Sequence, residues 1–367
     1  MRVGLLGACA VVAAVSLVDG AVAAPSRVDL RHAHASRGKL VARDPASGAD
    51  VPLTLDPDLQ RAAHEILSAA KAHEGAIVMS DVRTGRVLVW ATRGGGADVV
   101  ATPIAPSASV FKVVTAAALL ETGRVSRGTR QCYSGGERVI EEDDLDDDRA
   151  RDDRCTTLGD ALGHSVNLVF ARMALKHLSP STLRDEAAEL GIGSEIPIDV
   201  RVPASTLRVP EDRLGFARAA AGFWNGKLSP LSALFLMQTI ANRGERVGLR
   251  VLDEPGEARA PLGRAMSQST ASALVRMLEV TTRTGTSAKV FRHEDGTRVF
   301  PKMSVAGKTG TLIGGSPRRM YSWFAGFAPS RHPEVALSVL LANDVRWWKK
   351  GNEVARDMLE AYVAHKK

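Results

Sequence analysis

Three short groupings place side chains that could do chemistry at spacings that would let them meet. In SASVFKVVTAAALLETG, residues 107–123, Ser109 and Lys112 stand three apart ahead of an apolar run. On a helix that spacing puts both side chains on one face. A serine hydroxyl is a weak nucleophile near neutral pH and needs a base within hydrogen-bond reach. Lysine can be that base only as the neutral amine, a state that burial and a second nearby cation both favour. The same stretch also reads as a capped helix, with Ser109 as N-cap, Lys112 reaching to water and Gly123 ending it. Ser165 and Asn167, in GHSVNLVFARMALKHL, form an S-x-N tripeptide that taken alone reads as an N-cap before a core helix. Lys308-Thr309-Gly310-Thr311, in SVAGKTGTLIGG, fall on a predicted strand and taken alone read as a surface strand with a glycine bulge. The chain has no H-E-x-x-H, no cysteine cluster and no phosphate-cradling G-x-x-x-x-G-K, so neither a metal nor a cofactor is expected.

Those groupings fall on elements in a telling order. Leu59, Ala62, Ala63, Ile66, Leu67 and Ala70 recur at helical spacing after PLTLDPDLQ. GAIVMSDVRTGRVLVWATRGG reads as two strands joined at Arg83-Thr84-Gly85. Residues 107–282 are mostly helical in pattern. SVAGKTGTLIG, MYSWFAGFAPS and EVALSVLLAND read as three further strands, and GNEVARDMLEAYVAHK as a closing helix. The expectation is an α+β fold: a five-stranded antiparallel sheet built from both ends of the chain, with a helical lobe inserted.

The flanks and the charge balance narrow the setting. Arg2, the apolar stretch Val3–Val18 and Ala21-Val22-Ala23 read as a signal peptide over residues 1–23, cut before Ala24, with an uncleaved anchor as the alternative. Cys9 in Leu6-Gly7-Ala8-Cys9 could also be read as a lipidation site. Residues 24–50, rich in Arg, His, Ala and Gly, read as a flexible tether, leaving 51–367 as the working domain. Cys132 and Cys155 would then be an even pair in an oxidising compartment, so a disulfide is expected. It would close a loop with ten acidic residues between Glu137 and Asp153, which lacks the spaced pattern and turn glycine of an EF-hand. Lys and Arg number 48 against 41 Asp and Glu, a net charge of +7. The basic residues are scattered and only 5% of the chain is aromatic, which argues against nucleic acid as a partner.

Taken in chain order, S-x-x-K at 109–112, S-x-N at 165–167 and K-T-G at 308–310 match the set found in penicillin-binding proteins and class A β-lactamases. The chain resembles the transpeptidase domain of a penicillin-binding protein over about residues 51–365. LTLDPDLQRAA, SPLSALFLMQTIANRGERV, TGTSAK and WFAGFAPS add to the resemblance in the expected order. The resemblance implies a Ser109 acyl-enzyme with Lys112 as base, Ser165 relaying the proton and Asn167 holding the substrate amide. Lys308, Thr309 and Thr311 would bind its carboxylate, and Gly310 would leave room for a substrate lying along the strand. The backbone N–H groups of Ser109 and Thr311 would form the oxyanion hole.

The implied activity is a D,D-transpeptidase or D,D-carboxypeptidase acting on peptidoglycan stem peptides, inhibited by β-lactams. It would act in the periplasm or on the outer face of the cytoplasmic membrane, with membrane-associated cell-wall synthesis proteins as candidate partners. A β-lactamase, or a sensor module for β-lactams or muropeptides, is the alternative. Two positions depart from the family pattern: Ala108 stands before the nucleophile where glycine is frequent, and Tyr321-Ser322-Trp323 where a histidine is common.

Overall fold

The computed structural model describes residues 28–366, apart from 95, 137–138, 224–225, 255–260, 316 and 345–347. The expected signal peptide lies outside the described residues. Residues 28–50, expected as part of a tether, instead begin the folded body. A 3-10 turn at Leu30–His32 leads into β1 (His34–Ser36), β2 (Lys39–Arg43) and β3 (Asp50–Pro52), a small antiparallel sheet. Leu30, Leu40, Val41 and Ala42 are buried, and Lys39 Nζ reaches Asp253 at 2.8 Å. The strands are too short for a periodic signal among so many Arg and His residues; their stability comes from partners distant in sequence. The domain boundary expected at residue 51 therefore falls inside β3.

The main sheet is assembled from both ends of the chain, as its strand pattern predicts. α1 (Pro57–Ala70) starts with Asp56 accepting from the backbone N–H groups of Asp58 and Leu59, and with proline in its first turn, where a missing N–H costs nothing. β4 (Glu74–Asp81) and β5 (Val87–Arg93) follow. The sheet is completed by β10 (Ala306–Gly314), β11 (Arg319–Ala328) and β12 (Val335–Asn343), in the order β10-β11-β12-β4-β5, antiparallel throughout. One face packs against α1 and the closing helix α9 (Gly351–His365), through Leu59, Leu67, Ile77, Leu337 and Met358. The other face meets the helical lobe, so all nine residues of β12 are buried.

Between β5 and β10 the chain runs through β6 (Ala105–Pro106), α2 (Lys112–Glu121), β7 (Arg130–Tyr133), β8 (Arg154–Thr157), α3 (Leu158–His164), α4 (Asn167–His177) and α5 (Pro180–Glu189). It continues through α6 (Arg213–Ala220), β9 (Lys227–Leu228), α7 (Pro230–Ala241) and α8 (Gln268–Arg283). α7 is apolar all round and buried along its whole length, the mark of a helix enclosed on every side. α2 is buried from Lys112 through Leu119, so the lysine lies inside the protein and not on its surface. β10 is an edge strand, paired only with β11. Among the described residues, no helix is long and apolar enough to cross a membrane.

Candidate active site

Ser109 sits in a 3-10 turn, Ala108–Val110, immediately before α2. Trp323 Nε1 donates to Pro106 O at 2.9 Å, tying that turn to β11. Ala108 is left-handed at φ +46°, a conformation that costs an alanine about 1–2 kcal/mol. The turn is held from the opposite side by Gly222, where an added Cβ would lie 2.2 Å from Ala108 O. Ser109 is thereby fixed with its side chain partly exposed.

Lys112 is completely buried, and its Nζ lies 2.7 Å from Ser109 Oγ, 2.7 Å from Asn167 Oδ1 and 2.7 Å from Ala221 O. An amine nitrogen has three directions besides its own carbon. Two of these face carbonyl oxygens and must carry N–H; the third faces a hydroxyl that can donate. A neutral amine satisfies all three with its lone pair toward Ser109. Burial, and then the charge of Lys308, push Lys112 well below the usual lysine range.

Ser165 and Asn167 occupy the joint between α3 and α4. Ser165 ends α3 in the left-handed region at φ +62°, and Asn167 opens α4. The joint is placed by glycines. A Cβ on Gly163 would lie 2.3 Å from Val280 Cγ1, and one on Gly285 would lie 2.2 Å from Gly163 O. α3 and the end of α8 thus approach closely enough for Thr286 N to donate to Gly163 O at 3.2 Å. Thr286 Oγ1 then meets Thr309 Oγ1 at 2.6 Å. Lys308 Nζ donates to Ser165 Oγ at 3.0 Å and to Thr309 O at 2.9 Å. Burial lowers Lys308 to about 7.

The result is a cavity of about 530 Å³, walled by Ser109, Ser165, Asn167, Thr309 and Thr311 together with Ala221–Phe223, Thr286, Trp323, Lys350 and Asn352. Of the residues singled out from the sequence for chemistry, these five reach the wall. Lys112 and Lys308 stand behind it, both without exposed surface. Gly310 departs from its expected role. It is buried, and a Cβ there would point at Trp323 Cβ (3.2 Å) and Ala108 Cβ (3.3 Å). The glycine makes room for the protein's own nucleophile turn, not for a substrate. Four contributors were missed: Ala221, whose carbonyl receives Lys112, and Thr286, Lys350 and Asn352. Of these, Thr286 lies in TGTSAK and Asn352 in the closing-helix stretch GNEVARDMLEAYVAHK. The described wall residues include no Asp or Glu.

Cys132 and Cys155 form the expected disulfide, as directly opposed residues of the β7–β8 hairpin. The hairpin supports the site, because Gly136 O accepts from Asn167 Nδ2 at 3.2 Å. Its acidic loop is engaged, not loosely solvated. Arg172 of α4, 3% exposed, meets Asp152 at 2.6 Å, Asp144 O at 2.7 Å and Cys132 O at 3.0 Å. Among the described residues, one trio of possible metal ligands is mutually close, Asp56, Asp58 and His365. Asp56 already caps α1 and meets His365 at 3.1 Å.

The description "Penicillin binding protein transpeptidase domain" matches residues 75–360. The peptidoglycan D,D-transpeptidase PbpA of Mycobacterium tuberculosis is 25% identical over 352 residues, an alignment covering 82% of this chain and 68% of the relative. The probable peptidoglycan D,D-transpeptidase PbpC of Pseudomonas aeruginosa is 24% identical, covering 83% of this chain and 56% of the relative. Among solved structures, the transpeptidase domain of Burkholderia pseudomallei penicillin-binding protein 3 superposes with a TM-score of 0.73 at 22% identity, covering 86% of this chain and 96% of that one. The penicillin G acyl-enzyme complex of M. tuberculosis penicillin-binding protein A gives 0.65 at 21% identity, covering 85% and 80%.

Proposed function

The chain belongs to the penicillin-binding protein transpeptidase family, and on that premise we propose that it is an active-site serine D,D-transpeptidase working on peptidoglycan stem peptides. The observation that carries the reading is the Lys112 amine: buried, depressed in pKa and 2.7 Å from Ser109 Oγ. Ser109 Oγ attacks the carbonyl carbon of the penultimate residue of a D-Ala-D-Ala end, and its proton passes to Lys112 Nζ. The oxyanion that forms is held by the backbone N–H groups of Ser109 and Thr311. As the C–N bond breaks, the leaving amine takes a proton through the Ser165 hydroxyl, and D-alanine departs. The Ser109 ester is then opened by the amine of a second stem peptide. Attack by water instead would be the carboxypeptidase outcome from the same ester. A β-lactam enters the first step alike and leaves no small amine to depart.

Thr309 and Thr311 hydroxyls face the cavity and take the substrate carboxylate. Lys308 supplies positive charge from behind, through Ser165, and does not grip the ligand directly. The relatives' names support transpeptidation, and the penicillin G acyl-enzyme of one neighbour supports covalent capture of a β-lactam. A β-lactamase that activates water with a glutamate finds no support in the described wall. The glutamate of EAAELG at 186 lies on α5, pushed up to about 8 by burial and by the charges of Glu121 and Glu189; Glu121 ends α2, the helix end opposite Lys112. The leader-like N-terminus supports action outside the cytoplasm, where stem peptides lie.

Incubation with a fluorescent penicillin should label the protein on Ser109, persist for hours, and vanish in Ser109→Ala with the fold intact. Mass spectrometry placing the adduct on Ser165 or another residue would overturn the assignment. Rapid loss of label with release of hydrolysed drug would turn the reading to a β-lactamase.

A further inference from the structure

Away from the cavity, a groove of about 1260 Å³ runs beside α8. Six arginines from five segments converge on it: Arg83 in the β4–β5 turn, Arg127 after α2, Arg243 after α7, Arg276 and Arg283 on α8, and Arg331 in the β11–β12 turn. All six are exposed, and none of their guanidinium groups has a hydrogen-bond or ion-pair partner among the described residues. Arg276 and Arg283 are seven apart, hence on one face of α8 and about 10 Å apart along its axis. The three acids in the same wall are otherwise occupied. Glu245 pairs with Arg264 at 2.6 Å, Glu279 accepts from Ser330 Oγ, and Glu334 pairs with Lys366 at 2.6 Å. Between the arginines the lining is mixed: Asn242, Gln268, Ser272 and Ser330 stand beside Val275, while Val82, Ile240 and Ala271 lie buried beneath it.

We propose that this groove is a docking site for an acidic peptide segment of a partner protein. Like charges gathered from five segments around one concavity repel one another, and an anionic occupant relieves that repulsion. Guanidinium forks suit carboxylates in particular. The mixed lining favours a peptide over other polyanions: the exposed side-chain amide of Gln268 can pair with a peptide's backbone amides, which a polyphosphate chain lacks. The concave shape likewise does not fit the flat surface of a bilayer. This inference stands apart from the reaction at Ser109, since none of these arginines lines the catalytic cavity.

The test uses the full chain and a fluorescein-labelled, glutamate- and alanine-rich peptide long enough for about four helical turns. Its anisotropy should rise to saturation at low salt. Arg276→Glu/Arg331→Glu should weaken binding at least tenfold, and Arg127→Glu/Arg243→Glu should do the same from the other wall. Labelling by fluorescent penicillin should be unchanged in both variants, which separates this result from the fate of the proposed function. Absence of saturable binding, or binding that survives both charge reversals, would overturn the proposal. So would groove-dependent binding of long-chain polyphosphate or of phosphatidylglycerol vesicles in place of the peptide.

Discussion

The catalytic cavity and the acidic hairpin beside it both bury positive charge, and they treat it in opposite ways. In the hairpin region Arg172 is 3% exposed and its partner Asp152 is 4% exposed, 2.6 Å apart, with the backbone carbonyls of Asp144 and Cys132 also accepting from the guanidinium. Behind the cavity wall Lys112 and Lys308 are both fully buried, and their polar partners are hydroxyls, an amide and carbonyls, with no carboxylate among them. A buried charge with its counterion is a structural fastening; a buried amine without one is pushed toward neutrality, which is what a general base needs. The two regions are about one and a half turns of α4 apart, since Asn167 contacts Lys112 and Arg172 anchors the same helix.

Lys112 gives the largest expected effect. Lys112→Met should slow acylation by fluorescent penicillin about 10²–10⁴-fold, while thermal unfolding stays level or moves upward, because an uncompensated buried amine is removed. A variant that acylates normally would show that another group takes the serine proton. A variant that unfolds would make Lys112 a fastening like Arg172, and the contrast between the regions would be lost.

Arg172 should show the reverse profile. Arg172→Met leaves Asp152 buried without its partner, and urea unfolding should report a loss of about 3–5 kcal/mol. The fraction that remains folded should still acylate, more slowly to the extent that α4 lets Asn167 drift. Arg172→Met/Asp152→Leu should recover much of the stability. If Arg172→Met abolished acylation in a fully stable protein, the hairpin would belong to the chemistry.

Lys308 sharpens the contrast through pH. Its amine titrates at about 7 in the folded protein and near 10.4 in an unfolded chain. Below pH 7 both states are protonated and the folded state bears the full cost of the buried charge. Between about 7 and 10.4 the unfolded state binds a proton that the folded state does not, so stability rises with pH. The gain should be about 2 kcal/mol between pH 7.5 and 9 relative to Lys308→Met, read from urea midpoints. The same deprotonation should weaken ligands bearing a free carboxylate and spare their esters. Parallel stability curves for wild type and Lys308→Met would show that Lys308 stays charged despite its burial.

Much of this arrangement is legible in the sequence because it rests on local spacing. Ser109 and Lys112 share a helix face, Ser165 and Asn167 straddle a helix start, and β10 carries Lys308 to Thr311 in a pattern that repeats along one strand. The sheet's construction from both ends follows from apolar runs of strand length, and the Cys132–Cys155 pair from an even count. What spacing does not carry is contact between distant segments. The Ala221 carbonyl that receives Lys112 lies 109 residues away, and a backbone carbonyl leaves no mark in residue type. Gly310 looks like room for a substrate until Trp323 and Ala108 are seen filling it. Residues 28–50 look like a tether because strands of three to five residues give no period; their partners supply the order.

The smallest expected effect concerns backbone, where the two regions also differ. The hairpin meets its left-handed positions with Gly135 and Gly136, whereas the cavity meets two of its own with Ala108 and Ser165. Ala108→Gly removes about 1–2 kcal/mol of strain at φ +46° and gives back about 0.5–1 kcal/mol through the freer unfolded chain. Thermal stability should therefore shift upward by no more than about 1.5 kcal/mol. Acylation should slow a few-fold, because the alanine Cβ also braces the turn against β10, 3.3 Å from where a Gly310 Cβ would stand. Gly310→Ala alone should be impaired far more, since it meets both Ala108 and Trp323. Adding Ala108→Gly to it should restore part of the rate, as one of the two obstructions is gone. If the double variant is no better than Gly310→Ala, Trp323 alone sets the clearance, and the strain at Ala108 serves the nucleophile turn without bracing it against the strand.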